Sequence, residues 1–150
     1  MTNAKQNKFY IKHFQQEIDE INYYLGVFKK SGHRADDAFL EIGNILVRTQ
    51  REKNIDEHIF KRLKTYVAKL IGRRGLRHVH KIVCIAQCDI IQNNKDKLPR
   101  DWRLLYALSQ NVNLAELLES GEITRDITMN LLQSNPLNTF FVQNSSNLGI

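Results

Sequence analysis

Large apolar residues recur at helical spacing along most of this chain, and that pattern decides what it can fold into. Ile11, Phe14, Ile18, Ile21, Leu25 and Phe28 are separated by 3, 4, 3, 4 and 3 residues. That spacing sets side chains along one side of an α-helix and makes a heptad-like seam. Lys29-Lys30-Ser31-Gly32-His33 follows, with cations at the helix's negative end and a glycine after them. Strand-like alternation is scarce throughout. With two prolines and seven glycines among 150 residues, a loop-dominated or all-β chain is excluded.

The same periodicity continues. A second helix is expected from Ala35 to about Arg51, with Asp36 and Asp37 in its first turn and Ala38, Phe39, Ile42, Ile45 and Leu46 turned inward. Asn54 is placed as an N-cap with Glu57 in a capping-box position. It opens a third helix to about Ile71 that buries Phe60, Leu63, Val67, Leu70 and Ile71. Gly72-Arg73-Arg74-Gly75 reads as a tight basic turn. A fourth helix is expected from Leu76 to about Gln92, with Leu76, Val79, Val83, Ala86 and Ile90 inside. After a polar loop, Asn93 to Lys97, Pro99 suits the first turn of a fifth helix, with Trp102, Leu105, Tyr106 and Leu108 on its apolar face. Two short helices follow, around 112–119 and 124–133. The fold class is therefore all-α, one compact domain of about six or seven helices with a helix–turn–helix-like hairpin in the middle. Residues 1–134 form the helical domain, comprising a long amphipathic helix over 8–30 and a helical core over 35–134. Residues 135–150 are a Ser/Asn-rich tail in which Leu137, Phe140, Phe141 and Val142 are available for docking.

Composition narrows the class further. Hydrophobic residues make up 42% and charged residues 25%, enough for a real core and unlike a disordered polymer. No apolar run approaches the roughly 20 residues that span a bilayer. The residues from Met1 to Lys8 lack the apolar core of a signal peptide. Cys84 and Cys88 stand four apart, so a disulfide between them would bridge nothing distant. Free thiols without an export signal point to the cytoplasm.

Charge is distributed unevenly. The chain carries 22 Lys+Arg against 16 Asp+Glu, a net of +6. From His58 to Cys88 there is no acidic residue, while Lys61, Arg62, Lys64, Lys69, Arg73, Arg74, Arg77 and Lys81 all fall there, with His58, His78 and His80. The middle of the chain is its positive pole, and such a pole favours polyanions. On the fourth helix Arg77, Lys81 and Cys88 are expected opposite the apolar side, with Arg74 just before the helix on their side. Arginine suits nucleic acid because its fork matches phosphate oxygens and guanine acceptors.

DNA-binding helix–turn–helix hairpins place a small residue in the first helix and a glycine four positions later. Ala68 and Gly72 fit that pattern, but Val79 and Ile82 fall one residue late. Either the turn holds an extra residue, marked by Gly75, or this is a plain helical hairpin.

Catalytic signatures are missing. His80, Cys84 and Cys88, spaced four and four, would stack on neighbouring helical turns. Three ligands with no second cluster, beside Arg77 and Lys81, make a poor zinc site, so no metal and no cofactor is expected. There is no phosphate-binding glycine loop, nucleophile elbow or H-E-x-x-H. Asp36/Asp37 and Asp56/Glu57 sit where helix starts favour acids. The chain does not read as an enzyme.

The stretch Lys97-Leu98-Pro99-Arg100-Asp101-Trp102-Arg103-Leu104-Leu105-Tyr106-Ala107-Leu108-Ser109, then Leu114 to Leu118 and Gly121-Glu122-Ile123-Thr124, resembles a family of uncharacterised helical proteins of phages, plasmids and other mobile elements. Members carry a Leu-Pro…Leu-Tyr-x-Leu helix followed by a Gly-x-Ile-Thr/Pro turn. Tyr66, Leu70, Gly72, Ile85 and Ala86 match the helical segment that precedes it. The resemblance spans about residues 39–133 and implies a DNA-associated role, as its relatives often occur beside partition, replication or regulatory genes. It supplies no catalytic residue.

Taken together, these readings describe a DNA-binding accessory or regulatory protein of a mobile element. Lys64, Lys69, Arg73, Arg74, Arg77 and Lys81 are its candidate contacts. The rival reading is a protein–protein module, such as an inhibitor of a host or competitor system, that meets an acidic protein surface. A homodimer through Ile11, Phe14, Ile18, Ile21, Leu25 and Phe28 is expected. The alternative for that seam is that it folds back on the second and third helices as core.

Overall fold

The computed structural model describes residues 2–30 and 35–126, with residues 2–11 and 35 described by backbone alone. Among the described residues every regular element is helical, as the periodicity implies. They are α1 (Thr2–Lys30), α2 (Ala35–Glu52), α3 (Glu57–Ile71), α4 (Gly75–Gln87), α5 (Asp89–Asn93), α6 (Trp102–Ser109) and α7 (Leu114–Glu119), with a 3-10 turn over Lys95–Lys97. No helix is long and apolar enough to cross a membrane among these residues. The chain divides into two compact units, Met1–Ala86 and Gln87–Ile150.

The first unit is organised by α1 and α2, which run antiparallel. Phe28 stacks on Phe39 with ring centroids 4.7 Å apart at one end. Glu20 pairs with Arg48 at 3.0 Å midway, and Glu17 pairs with Lys53 at 2.9 Å at the other end. Phe14, Ile18, Ile21 and Leu25 are buried, and Phe28 is half-buried. The heptad-like seam is thus spent inside the chain. This corrects the expected dimer surface: a helix bearing a narrow apolar side found its partner in α2, which offers Phe39, Ile42, Ile45 and Leu46 fully buried. The side chain of Ile11 lies outside the described residues. α1 is also bent at Phe14, whose backbone leaves the helical region (φ −128°, ψ 29°). The Lys53 ammonium donates to the His13 carbonyl at 2.9 Å and lies 5.1 Å from the Phe14 ring centre. A cation from beyond α2 thus occupies the break, a recognised cause of helix kinks.

Two further differences follow from local chemistry. Asp56, and not Asn54, caps α3: its carboxylate accepts from the Ile59 N–H at 2.9 Å. Asn54 instead takes a left-handed conformation (φ 48°), which asparagine tolerates better than most residues. The helix expected to run from Leu76 to Gln92 breaks at Cys88, which is extended (φ −84°, ψ 103°). The break turns Ile91 inward, to 2% exposure, and leaves Ile90 at 38%, the reverse of what one continuous helix would give.

In the second unit Asp101 caps α6, accepting from the Arg103 and Leu104 N–H groups. Pro99 is buried ahead of that cap, not within the first turn. Leu98, Trp102, Leu104, Leu105 and Leu108 are buried. Asn111 is buried too, and its side-chain oxygen accepts from the Asn113 N–H at 2.8 Å. That turn delays α7 to Leu114 and leaves Val112 82% exposed. The short helix expected over 124–133 falls largely beyond residue 126. That part of it, and the apolar tail residues Leu137, Phe140, Phe141 and Val142, lie outside the described residues.

Candidate nucleic-acid interface

The acid-free stretch begins one residue inside α3, after Glu57, and continues through a three-residue turn and α4; two glycines determine how the helices meet. Gly72 ends α3 at φ 101°, a conformation that penalises any Cβ, and its N–H reaches the Ala68 carbonyl at 3.0 Å. Gly75 then starts α4 with its N–H on the Gly72 carbonyl at 2.9 Å. It is buried against Ala68, and a Cβ on Gly75 would overlap the Ala68 backbone carbonyl. Bare backbone therefore packs on bare backbone. Ala68 and Gly72 occupy the positions the sequence suggested, and the second glycine marks where the chain begins α4.

Between the glycines stand Arg73 and Arg74, both exposed. Arg74 has φ 61°, a left-handed conformation that costs a non-glycine residue roughly 1–2 kcal/mol. Its carbonyl accepts from the His78 N–H at 3.0 Å, joining the turn to the first turn of α4. His78 meets Phe39 edge-on at 5.7 Å, which ties α4 to α2.

The turn borders an open cleft of about 590 Å³ whose cations are Lys69, Arg74 and Arg77. Arg73 is exposed in the same turn. None of these four makes an ion pair with any described residue. No described residue neutralises their charge. Two of the expected contacts stand apart from this cleft. Lys64 is half-buried with its ammonium 4.8 Å from the Phe60 ring centre. Lys81 is half-buried and engaged within the chain. Lys61 and Arg62, on α3, are exposed and extend the positive surface.

The orientation of α4 differs from the sequence expectation in one consequential way. Val79, Val83 and Ala86 are buried, but so are Ile82 and Ile85, while Leu76 is 63% exposed. At about 100° per residue the two isoleucines swing the buried arc away from Leu76, leaving it roughly 90° from the arc's middle. Leu76 therefore joins Arg77, His80 and Gln87 on the outward face. Counting Ile82 and Ile85 with the core would have revealed this from sequence.

The proposed stack of His80, Cys84 and Cys88 does not form on one helix, because Cys88 lies outside α4. His80 Nε2 and Cys84 Sγ are 3.7 Å apart. Burial pushes the Cys84 thiol above its ordinary pKa, with the Lys64 ammonium pulling the other way. This thiol is therefore poor in thiolate and a weak nucleophile or ligand. No group of three His, Cys, Asp or Glu side chains placed to hold a metal ion occurs among the described residues.

No protein-family model, no curated protein and no solved structure matches the chain.

Proposed function

We propose that this chain is a DNA-binding accessory or regulatory protein of a phage, plasmid or other mobile element, and that the α3–turn–α4 segment contacts the duplex. One observation carries the reading. Lys69, Arg73, Arg74 and Arg77 surround a glycine-built turn in a stretch, His58 to Cys88, that has no acid, and none is paired with a described residue. Cations needed only for solubility require no such segregation. The left-handed Arg74 supports the same reading, since strained residues that persist tend to serve a site. The mobile-element origin rests on the resemblance of the Leu98–Ser109 segment and the Gly121–Thr124 turn.

The test is equilibrium binding of a duplex across a salt series. Neutralised phosphates release counterions, so log K should fall linearly with log salt, by about 0.9 per phosphate contacted. Replacing Arg73, Arg74 and Arg77 together by Ala should flatten that slope and weaken binding by roughly 1 kcal/mol or more per lost contact. Absence of any complex at low salt and micromolar protein would remove the proposal.

A second reading has its own support in Tyr23, which is 66% exposed and meets Tyr24 edge-on at 5.2 Å. Exposed tyrosine is common at protein interfaces, and an inhibitor of a host or competitor system would need one. Recovery of a stoichiometric acidic protein from nuclease-treated host lysate would favour it.

A further inference from the structure

α4 presents more than charge. Its outward face carries Leu76, Arg77, His80 and Gln87 and has no acid. Leu76 is the one large apolar side chain exposed in the described α3–turn–α4 segment. It borders the same cleft as Lys69, Arg74 and Arg77. A lone leucine ringed by cations is a poor docking patch for an apolar partner, which would have to bury those charges. It is well placed beside a polyanion that neutralises its neighbours.

We infer that the first turn of α4 enters the major groove of duplex DNA and that Leu76 reads thymine there through its 5-methyl group. This inference rests on the DNA-binding reading above. The groove follows from size: an α-helix with side chains is roughly 10–12 Å across, which the major groove of about 12 Å admits and the minor groove of about 6 Å does not. In the major groove the one apolar feature on a base edge is the thymine methyl, and aliphatic side chains contact it. Arg77 adjoins Leu76 with a fork that suits guanine. Arg73 and Arg74 precede the helix, where backbone phosphates flank the groove. A wedge role between bases does not fit this helix, because side chains that insert between base steps do so from the minor groove, which is too narrow to admit it.

The test uses the full chain and a duplex it enriches from a randomised pool. Binding is then compared with the same duplex in which every thymine is replaced by deoxyuridine. Phosphate charge is unchanged, so the salt slope should be unchanged, while affinity should fall by about fourfold for each methyl contacted, the effect of one buried methyl-sized group. Leu76→Ala should bind both duplexes equally and keep the wild-type slope. Its exposed position makes the substitution safe for the fold, and circular dichroism checks that. Arg77→Ala should lose affinity for both duplexes. Equal wild-type binding of the two duplexes overturns the inference. So does a Leu76→Ala protein that still discriminates, or salt-dependent binding from which no thymine-containing sequence is enriched. Each of those leaves DNA binding standing. No binding to any duplex overturns both.

Discussion

The α1–α2 hairpin and the α3–turn–α4 hairpin lie in the same unit and are built from similar residues, yet they use charge in opposite ways. In the first, Glu20 meets Arg48 and Glu17 meets Lys53, and the apolar seam is closed. In the second, Lys61, Arg62, Lys69, Arg73, Arg74 and Arg77 have no described counter-ion, one arginine is held in a left-handed conformation, and a leucine stands in solvent. Arg48 and Lys53 of the first hairpin each stand beside an acid of the same chain. Lys12, Lys29, Lys30 and Arg51 there have no described counter-ion either, but their helices carry acids, whereas the turn between α3 and α4 lies in a stretch with none from His58 to Cys88. The contrast separates stability from binding, and mutations should separate them too.

The largest expected effect is on the closed hairpin. Ile18 is 3% exposed within the α1–α2 core, so Ile18→Glu places a carboxylate among apolar side chains with no partner. Such burial costs several kcal/mol, and the substitution should unfold the first unit or cost about 4 kcal/mol or more in urea denaturation. If Ile18 instead faced a second copy, the result would be a folded monomer of unchanged stability.

Next comes the joint of the open hairpin. Gly75→Ala drives a methyl group into the Ala68 carbonyl, and rigid backbone on both sides leaves little room to relax. Overpacking of this kind costs about 1–3 kcal/mol, and we expect the upper end, together with loss of DNA affinity as the turn rearranges. Unchanged stability would mean that the α3–α4 approach is looser than the geometry requires.

Arg74 should behave differently from both. Replacing it with Gly relieves the left-handed strain while removing a cation. Arg74→Gly should therefore raise unfolding stability by about 1 kcal/mol, against the entropy glycine adds to the unfolded chain, and weaken DNA binding by roughly fivefold. A residue that lowers stability and raises affinity marks the boundary between the two uses of charge. Loss of both properties would place Arg74 among the structural residues.

What could be read from sequence follows the same divide. The faces of α1 and α2 were legible because each is one unbroken stripe of large side chains whose partners are also helical stripes. The positive pole was legible because a charge sum needs no geometry. The face of α4 is ambiguous in the sequence because Leu76, Val79, Val83 and Ile90 satisfy helical spacing by themselves, while Ile82 and Ile85 define a second stripe that prevails. The break at Cys88 carries no glycine or proline to announce it; only the exchange of Ile90 for Ile91 in the core reveals it. Lys64 and Lys81 share the acid-free segment with the other candidate contacts, but the packing of Phe60 and the depth of α4 draw them partly inward. The bend at Phe14 depends on Lys53, 40 residues away from His13, a pairing that no local pattern encodes.

The smallest effects belong to the two ion pairs of the closed hairpin, and their difference sharpens the contrast. Arg48 and Glu20 are 44% and 49% exposed, so water screens them and Arg48→Ala should cost no more than about 0.5 kcal/mol. Lys53 bonds the carboxylate of Glu17, whose side chain is 15% exposed, and the His13 carbonyl at the α1 bend. Lys53→Ala leaves both acceptors less satisfied and should cost about 1 kcal/mol, on the scale of a charge-assisted hydrogen bond with its partner left behind. Added salt should shrink the Arg48 effect more than the Lys53 effect, because screening acts most strongly on exposed charges. Urea denaturation of both variants at low and high salt makes the comparison directly. Equal costs with equal salt dependence would mean that the bend at Phe14 stands without Lys53 and that its cause lies in α1 itself.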